Sequence, residues 1–392
     1  MIKVLVCDGD GTLGLPNPSR DIRNLLAALE TSGIQLAVAT NNQRRLIERN
    51  FQRAGLASPS IIVTRQDIGQ PKPSPEFLRR IARLCKVNLH EMVYIGDDDK
   101  TDIFCAINAG VLPLAAKYSK SPTTIEYGLP VNHPKVLQDY LVVYGKQEDP
   151  YFGWDYNNRC ADTGKPIDVR ALFGEHKQLG ITGKLKSLLK DDEDVPVNQH
   201  GTMFSAVLFH YFINQCYQSG LMAAVDMVTV YPGHLPGNPN PVLQAFSRIL
   251  ALNFRKYTPD LLVRHAAALP AHFQAVRQIY DQFRTINVNP SHPKAVENSS
   301  IMVIDDFTTS GNGFETARRM LLAAGASHVI CVAMAKYRNE YTETQIAKKW
   351  DPYIPCTLAI DDIRTTRAEG TINDKADKFF ENTVMPTYFK RQ

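Results

Sequence analysis

The chain has 392 residues, and at about 150 residues per domain it divides into two or three domains, each able to bury a core without staples. Its composition, 44% hydrophobic and 21% charged, excludes a disordered chain, a coiled coil and a collagen-like fibre. A net charge of +4, from 44 basic and 40 acidic residues, is too small to mark a nucleic-acid or membrane binder. No apolar run reaches the roughly 18 residues of a membrane span, and the seven cysteines form no CxxC pair. Reduced thiols and a cytoplasmic location are expected.

The first part alternates strands and helices. Ile2–Cys7 is an apolar run of strand length that ends in acids, unlike a signal peptide. Asp21–Ser32 carries Ile22, Leu25, Leu26 and Leu29 at helical spacing, closed by Gly33. Ile34–Ala39 reads as a strand, Gln43–Ala54 as a helix, Ile61–Val63 as a strand and Pro75–Leu84 as a helix. Met92–Ile95, Thr101–Ala109 and Val111–Ala115 repeat the rhythm as strand, helix and strand. Such a βαβα order predicts a parallel sheet with helices on both faces.

A Pro-, Ser- and Thr-richer stretch from about Ala116 to Pro150 marks a boundary. The expected domains are 1–145 and 146–337, with 338–392 as a C-terminal extension packing on the second. Tyr151–Lys165 reads as turn-rich, its aromatic start (Tyr151, Phe152, Trp154, Tyr156) being either a hood that stacks on a base or a packing element. Lys184–Leu189, Thr202–Tyr217 and Gly313–Ala324 read as helices, and Met227–Tyr231, Ser300–Ile304 and Ser327–Ala335 as strands. The tail holds a strand-like Cys356–Ile360 and an amphipathic final helix. The fold class is α/β, two domains each built on a mostly parallel sheet flanked by helices.

Ligands of open parallel sheets bind at the carboxyl ends of the strands. There the first part places Asp8-Gly9-Asp10-Gly11-Thr12, then Thr40-Asn41-Asn42, Lys72, and Gly96-Asp97-Asp98-Asp99 with Asp102. Crowded carboxylates require a cation, and hard oxygen ligands select Mg²⁺. One carboxylate can act as nucleophile, and another two residues on as acid and base. A threonine and a lysine can bind the transferring phosphoryl group.

These residues, in this order, resemble the haloacid dehalogenase-like phosphohydrolase superfamily, with its DxDGT, strand-end Thr/Ser, Lys and GDxxxxD motifs. The resemblance covers roughly residues 1–115. It implies Asp8 as nucleophile, Asp10 as general acid and base, and Thr40 and Lys72 as phosphate binders. It also implies Mg²⁺ held by Asp8, Asp97 and Asp10, with Asp102 or Asp98 in support. About thirty residues separate Asp10 from Thr40 and a similar number Thr40 from Lys72, leaving no room for a cap domain.

A second constellation follows the strand Ser300–Ile304: Asp305-Asp306-Phe307-Thr308-Thr309-Ser310-Gly311-Asn312-Gly313, then a helix. Small residues at a helix N-terminus aim backbone N–H groups at an anion. The segment resembles the ribose-phosphate signature of type I phosphoribosyltransferases, and its wider context the competence-associated, ComF-like branch. That resemblance implies Asp305 and Asp306 on ribose hydroxyls, and Thr308, Thr309, Ser310, Gly311 and Asn312 around a 5′-phosphate. Pro232-Gly233-His234 would face pyrophosphate, with Arg264 and Arg277 as further phosphate candidates. The family usually closes its loop with Thr, where this chain has Gly313, and Thr316 is the candidate replacement.

The leading expectation is a bifunctional enzyme. Mg²⁺-dependent phosphomonoester hydrolysis is coupled to phosphoribosyl transfer or nucleotide glycosidic-bond chemistry, giving a nucleoside-like product. Two alternatives stand beside it: a phosphatase regulated by a non-catalytic domain that senses phosphoribosyl pyrophosphate (PRPP) or nucleotide, and a nucleic-acid end phosphatase, which the mild charge disfavours. The expected partners are a small phosphate ester and PRPP or a nucleotide, with no membrane and a homo-oligomer allowed.

Overall fold

The computed structural model describes residues 1–9, 11–120, 125–145, 147–174, 184–188, 193–197, 203–237, 257–268 and 279–389. The described residues separate into two units, 1–149 with 213–224, and 150–212 with 225–389. Among the described residues no helix is long and apolar enough to cross a membrane.

In the first unit the strands are β1 (Val4–Asp8), β2 (Gln35–Thr40), β3 (Ile61–Thr64), β4 (Met92–Gly96), β5 (Leu112–Ala116) and β6 (Leu129–Val131). They form one sheet in the order β3-β2-β1-β4-β5-β6, parallel throughout. β1, β4 and β5 are buried at every residue, which is why they read as unbroken apolar runs and not as alternation. The helices are α1 (Arg20–Ser32), α2 (Arg44–Arg53), α3 (Arg65–Ile68), α4 (Glu76–Cys85), α5 (Phe104–Ala109) and α6 (Pro134–Tyr144).

Helix α1 starts where the Ser19 side chain accepts the Ile22 N–H, and ends at Gly33 in the left-handed region, φ 69°. Phe77 and Ile81 of α4 are fully buried beside Val4, Val6 and Tyr94. Each such side chain contributes about 1.5–3 kcal/mol of apolar burial, and Phe77→Ala would cost about 3–5 kcal/mol. The helix expected over 101–109 opens instead with a wide π-type turn, Asp99–Ile103, whose cap is Asp98. Strand β6, three residues with Pro130 at its centre, was not expected from the sequence. Strand order reverses at β1, with β2 on one side and β4 on the other, so the ends of β1 and β4 form the crevice where such sheets bind ligands.

In the second unit the strands are β7 (Trp154–Arg159), β8 (Pro166–Phe173), β9 (Met227–Val230), β10 (Leu262–Arg264), β11 (Ile286–Val288), β12 (Ser300–Thr308), β13 (His328–Lys336), β14 (Glu340–Ile346), β15 (Ile363–Glu369) and β16 (Thr371–Ile372). The main sheet runs β16-β7-β8-β13-β12-β9. It is mixed: β8, β13, β12 and β9 are parallel, whereas β7 and β16 add antiparallel edges. β10 with β11, and β14 with β15, form separate antiparallel pairs.

Two expectations are corrected here. Six residues of the turn-rich segment, Trp154–Arg159, form strand β7, in which Trp154 and Tyr156 point inward and alternate with polar residues. Trp154 is fully buried and donates to Asn339, while Tyr156 stacks on Tyr341 at 4.9 Å, so both rings pack into the fold. Cys356–Ala359 is not a strand; its apolar Leu358 anchors a loop in the core, and the described strands of the tail are the polar β14 and β15 and the short β16.

Candidate active site

Asp8 ends β1, Thr40 ends β2, and Asp97 directly follows β4. Between the first two strands the chain must turn close to its neighbours. A Cβ on Gly11 would lie 2.0 Å from Asp97 Oδ2, so a side chain there would displace the Asp97 carboxylate. Lys72 precedes α4, and its backbone N–H is fixed by Asn41 Oδ1 at 2.8 Å. Its ammonium Nζ meets Asp8 Oδ1 at 2.6 Å, Asp102 Oδ1 at 2.5 Å, and Ala39 O and Tyr94 Oη at 3.2 Å. Asp102 Oδ1 also accepts from Tyr94 Oη at 3.0 Å, and its Oδ2 accepts the Asp97 N–H at 3.1 Å. Asp97 Oδ2 accepts from Ser119 Oγ at 2.6 Å.

The structure therefore brings together Asp8, Lys72, Asp97 and Asp102, all buried, beside the buried Thr40. Asp10 lies outside the described residues. Asp98 does not join the cluster; its Oδ1 caps the π-type turn by accepting from Thr101 N and Oγ1, both at 2.8 Å. Tyr94 and Ser119 are partners that the sequence reading missed, and Asn41, read there only as a strand-end residue, holds the Lys72 backbone. Tyr94 sits inside an apolar strand run and Ser119 in a loop after β5, where neither carries a motif signal.

The electrostatics follow from crowding. Burial opposes the Lys72 charge, but Asp8 and Asp102 outweigh it and hold the ammonium well above its ordinary pKa. Burial pushes the Asp102 carboxyl up, with Lys72 pulling against it. Burial also raises Asp97, and the Ser119 hydrogen bond partly offsets this. Carboxylate oxygens of Asp8, Asp97 and Asp102 all lie within 4.8 Å of one another. Like charges about 4 Å apart repel by about 4 kcal/mol at an effective dielectric of ~20. One lysine cannot neutralise three carboxylates, so this set of hard oxygen donors fits a divalent cation such as Mg²⁺.

In the second unit β12 runs into the small-residue loop, and the helix Asn312–Ala323 follows. Three successive loop carbonyls are held by residues of β13, of β14 and of the turn between them. Thr308 O accepts from Tyr337 N at 3.0 Å, Thr309 O from Lys336 Nζ, and Ser310 O from Thr342 N at 2.8 Å. Because peptides are planar and trans, each carbonyl so held sets the N–H of Thr309, Ser310 or Gly311 pointing opposite to the carbonyl of its own peptide. Gly311 has φ 80°, and a Cβ there would lie 2.3 Å from the Tyr341 ring. Asp306, Thr308 and Asn312 are buried, Asp305 and Ser310 half-buried, and Thr309 exposed. Asp305 and Asp306 each accept the following residue's N–H through Oδ1.

Thr316 does not replace the missing loop hydroxyl, because its Oγ1 bonds back to Asn312 O at 2.8 Å within the helix. The space over Gly313 is taken by Tyr231, whose Cζ would lie 3.0 Å from a Cβ there. Arg264 is 4% exposed and donates to Gly233 O and to Thr285 Oγ1, so it braces the scaffold. Arg277 lies outside the described residues.

Residues 13–116 match the family described as haloacid dehalogenase-like hydrolase. The N-terminal region carries a domain of that superfamily. The matched span contains Thr40, Lys72, Asp97 and Asp102 and begins just after the DxDGT motif. Over 133 residues the chain is 32% identical to the N-acetylmuramic acid 6-phosphate phosphatase of Pseudomonas aeruginosa, covering 32% of this chain and 58% of that protein. Over 101 residues it is 34% identical to the phosphoglycolate phosphatase of Neisseria meningitidis, covering 26% and 43%. The chain thus spans about half the length of the curated relatives it matches.

Proposed function

We propose that the first unit of this chain is a Mg²⁺-dependent phosphatase acting on small phosphomonoesters. The observation that carries this is the Lys72 ammonium seated on Asp8 Oδ1 at 2.6 Å, inside a buried cluster of acids at the strand ends. The relatives named above are phosphatases of small phosphorylated metabolites, which supports that substrate class.

In this reading Asp8 attacks phosphorus, forming an aspartyl-phosphate as the ester P–O bond breaks. Asp10 gives its proton to the leaving oxygen, then takes one from the water that attacks the phosphoryl group in the second half. Lys72 and Thr40 hold the phosphoryl oxygens in line. Asp8 and Asp97, with the Asp10 main chain, would hold Mg²⁺, which supplies charge neutralisation on the phosphoryl group. Asp102 acts from behind, fixing Lys72 and the Asp97 amide. The test is hydrolysis of an aryl phosphate with Mg²⁺. Turnover lost in Asp8→Asn supports the assignment, and turnover that survives overturns it.

A second reading concerns the second unit, as a site for the ribose 5-phosphate part of PRPP or a nucleotide. The carbonyl clamp on Thr308, Thr309 and Ser310 favours it, because it turns the loop amides towards an anion. Gly313 under Tyr231 and the self-bonded Thr316 leave the loop short of a hydroxyl, which favours a nucleotide sensor over a transferase. Calorimetry with PRPP followed by a pyrophosphate-release assay separates them: heat without release supports the sensor, release in any base screen supports the transferase, and no heat removes both.

A further inference from the structure

The geometry points to Tyr94 as a positioning residue that keeps Lys72 on the nucleophile Asp8, an inference that rests on the phosphatase reading above. Tyr94 lies on β4 in register with Val6 of β1, with its ring fully buried in the core of the first unit. The hydroxyl emerges at the polar end of that core. It lies 3.0 Å from Asp102 Oδ1 and 3.2 Å from Lys72 Nζ.

A lysine ammonium has three N–H donors, and four oxygens surround this one. Asp8 Oδ1 at 2.6 Å and Asp102 Oδ1 at 2.5 Å compete for it almost equally. Tyr94 decides the competition. Donating to Asp102 Oδ1, its hydroxyl satisfies part of that oxygen's negative charge without adding a charge of its own. Asp102 Oδ2 is meanwhile occupied by the Asp97 amide. Remove the hydroxyl and Asp102 Oδ1 keeps only Lys72 at 2.5 Å and the longer Thr101 Oγ1 contact at 3.4 Å, so it draws harder on Lys72. The ammonium then shifts towards Asp102 and away from the place where a phosphoryl oxygen bridges to Asp8. Tyr94 touches no substrate in this scheme and acts through Lys72 and Asp102.

The test uses the full chain with Mg²⁺ and an aryl phosphate. Tyr94→Phe keeps the ring and removes only the hydroxyl, so the thermal midpoint serves as the check on folding. A displacement of the cation by a fraction of an ångström lowers kcat by about tenfold to a hundredfold, with KM within twofold of wild type. Tyr94→Phe added to Asp102→Asn causes no further loss, because both remove one relay. Replacing Tyr94 by p-aminophenylalanine, which restores an N–H donor at the ring's end, recovers most of kcat and stands in if Tyr94→Phe does not fold. A kcat within twofold of wild type in Tyr94→Phe, losses that add in the double variant, or no recovery with the amino analogue overturns the assignment. Wild-type hydrolysis that survives Asp8→Asn instead overturns the phosphatase reading, and the role of Tyr94 with it.

Discussion

Lys72 Nζ and Asp102 Oδ1 meet at 2.5 Å with their side chains 3% and 2% exposed. A charge pair this deep is costly to break, because the survivor is left buried without its counter-charge. Lys72→Met leaves Asp8 and Asp102 together with no cation between them. It should destabilise the first unit by about 3–5 kcal/mol in denaturant titration without Mg²⁺. Added Mg²⁺ should return part of that loss, since the ion binds only the folded cluster.

Ser119 Oγ fixes one oxygen of Asp97 at 2.6 Å. Partners that orient a metal-binding carboxylate typically govern affinity by about 10–100-fold. Ser119→Ala should therefore raise the Mg²⁺ dissociation constant by about that factor in calorimetry. Ser119→Thr keeps the hydroxyl and should stay near wild type. Equal affinities for the alanine and wild-type proteins would remove Ser119 from the site.

The candidate site residues were legible because chemistry and topology agree: Asp8, Thr40 and Asp97 fall where an apolar run ends, and Lys72 in the loop before a helix. Tyr94 was not legible. A tyrosine inside Met92–Gly96 reads as one more strand residue until the fold shows its hydroxyl beside Asp102. The first sheet was readable because its strands are buried on both faces and run continuously apolar. Strand β15, Ile363–Glu369, is exposed and rich in Thr and Arg, and pairs with β14 across a long separation. Local pattern carries no trace of such a pairing. Cys356–Ile360 looked like a strand from hydropathy alone, but no partner strand lies beside it among the described residues.

Glu315 is fully buried in the first turn of the helix after the second-unit loop. It accepts from Arg318 at 2.7 and 2.8 Å, Arg319 at 3.2 Å, Tyr341 Oη at 2.9 Å, and Thr344 N and Oγ1 at 2.9 and 2.7 Å. Burial favours its protonated form, but the two guanidinium groups and the Thr344 bonds outweigh that and depress its pKa. A carboxylate depressed on folding contributes stability that is fully present above its unfolded pKa of about 4.3 and is lost as pH falls through the folded value. The second unit should therefore hold its Glu315-dependent stability from pH ~7 to ~5 and lose it in the acid range below ~4. Glu315→Gln should flatten that acid limb and cost about 3–5 kcal/mol at neutral pH. An unchanged acid limb in the variant would contradict this.

Gly311, at φ 80°, leaves no room for a side chain beneath Tyr341. Gly311→Ala adds both the clash and a left-handed penalty of about 1–2 kcal/mol. It should lower the thermal midpoint of the second unit and abolish any PRPP heat, while leaving aryl phosphate hydrolysis by the first unit within twofold.

Covalent trapping at Asp8 tests the aspartyl-phosphate mechanism itself. The full chain with Mg²⁺ is mixed with a radiolabelled phosphate ester, quenched in acid and digested. Hydroxylamine-labile label should appear on the peptide containing Asp8, and none in Asp8→Asn. Label on another residue, or hydrolysis that proceeds unchanged in Asp8→Asn, would contradict it.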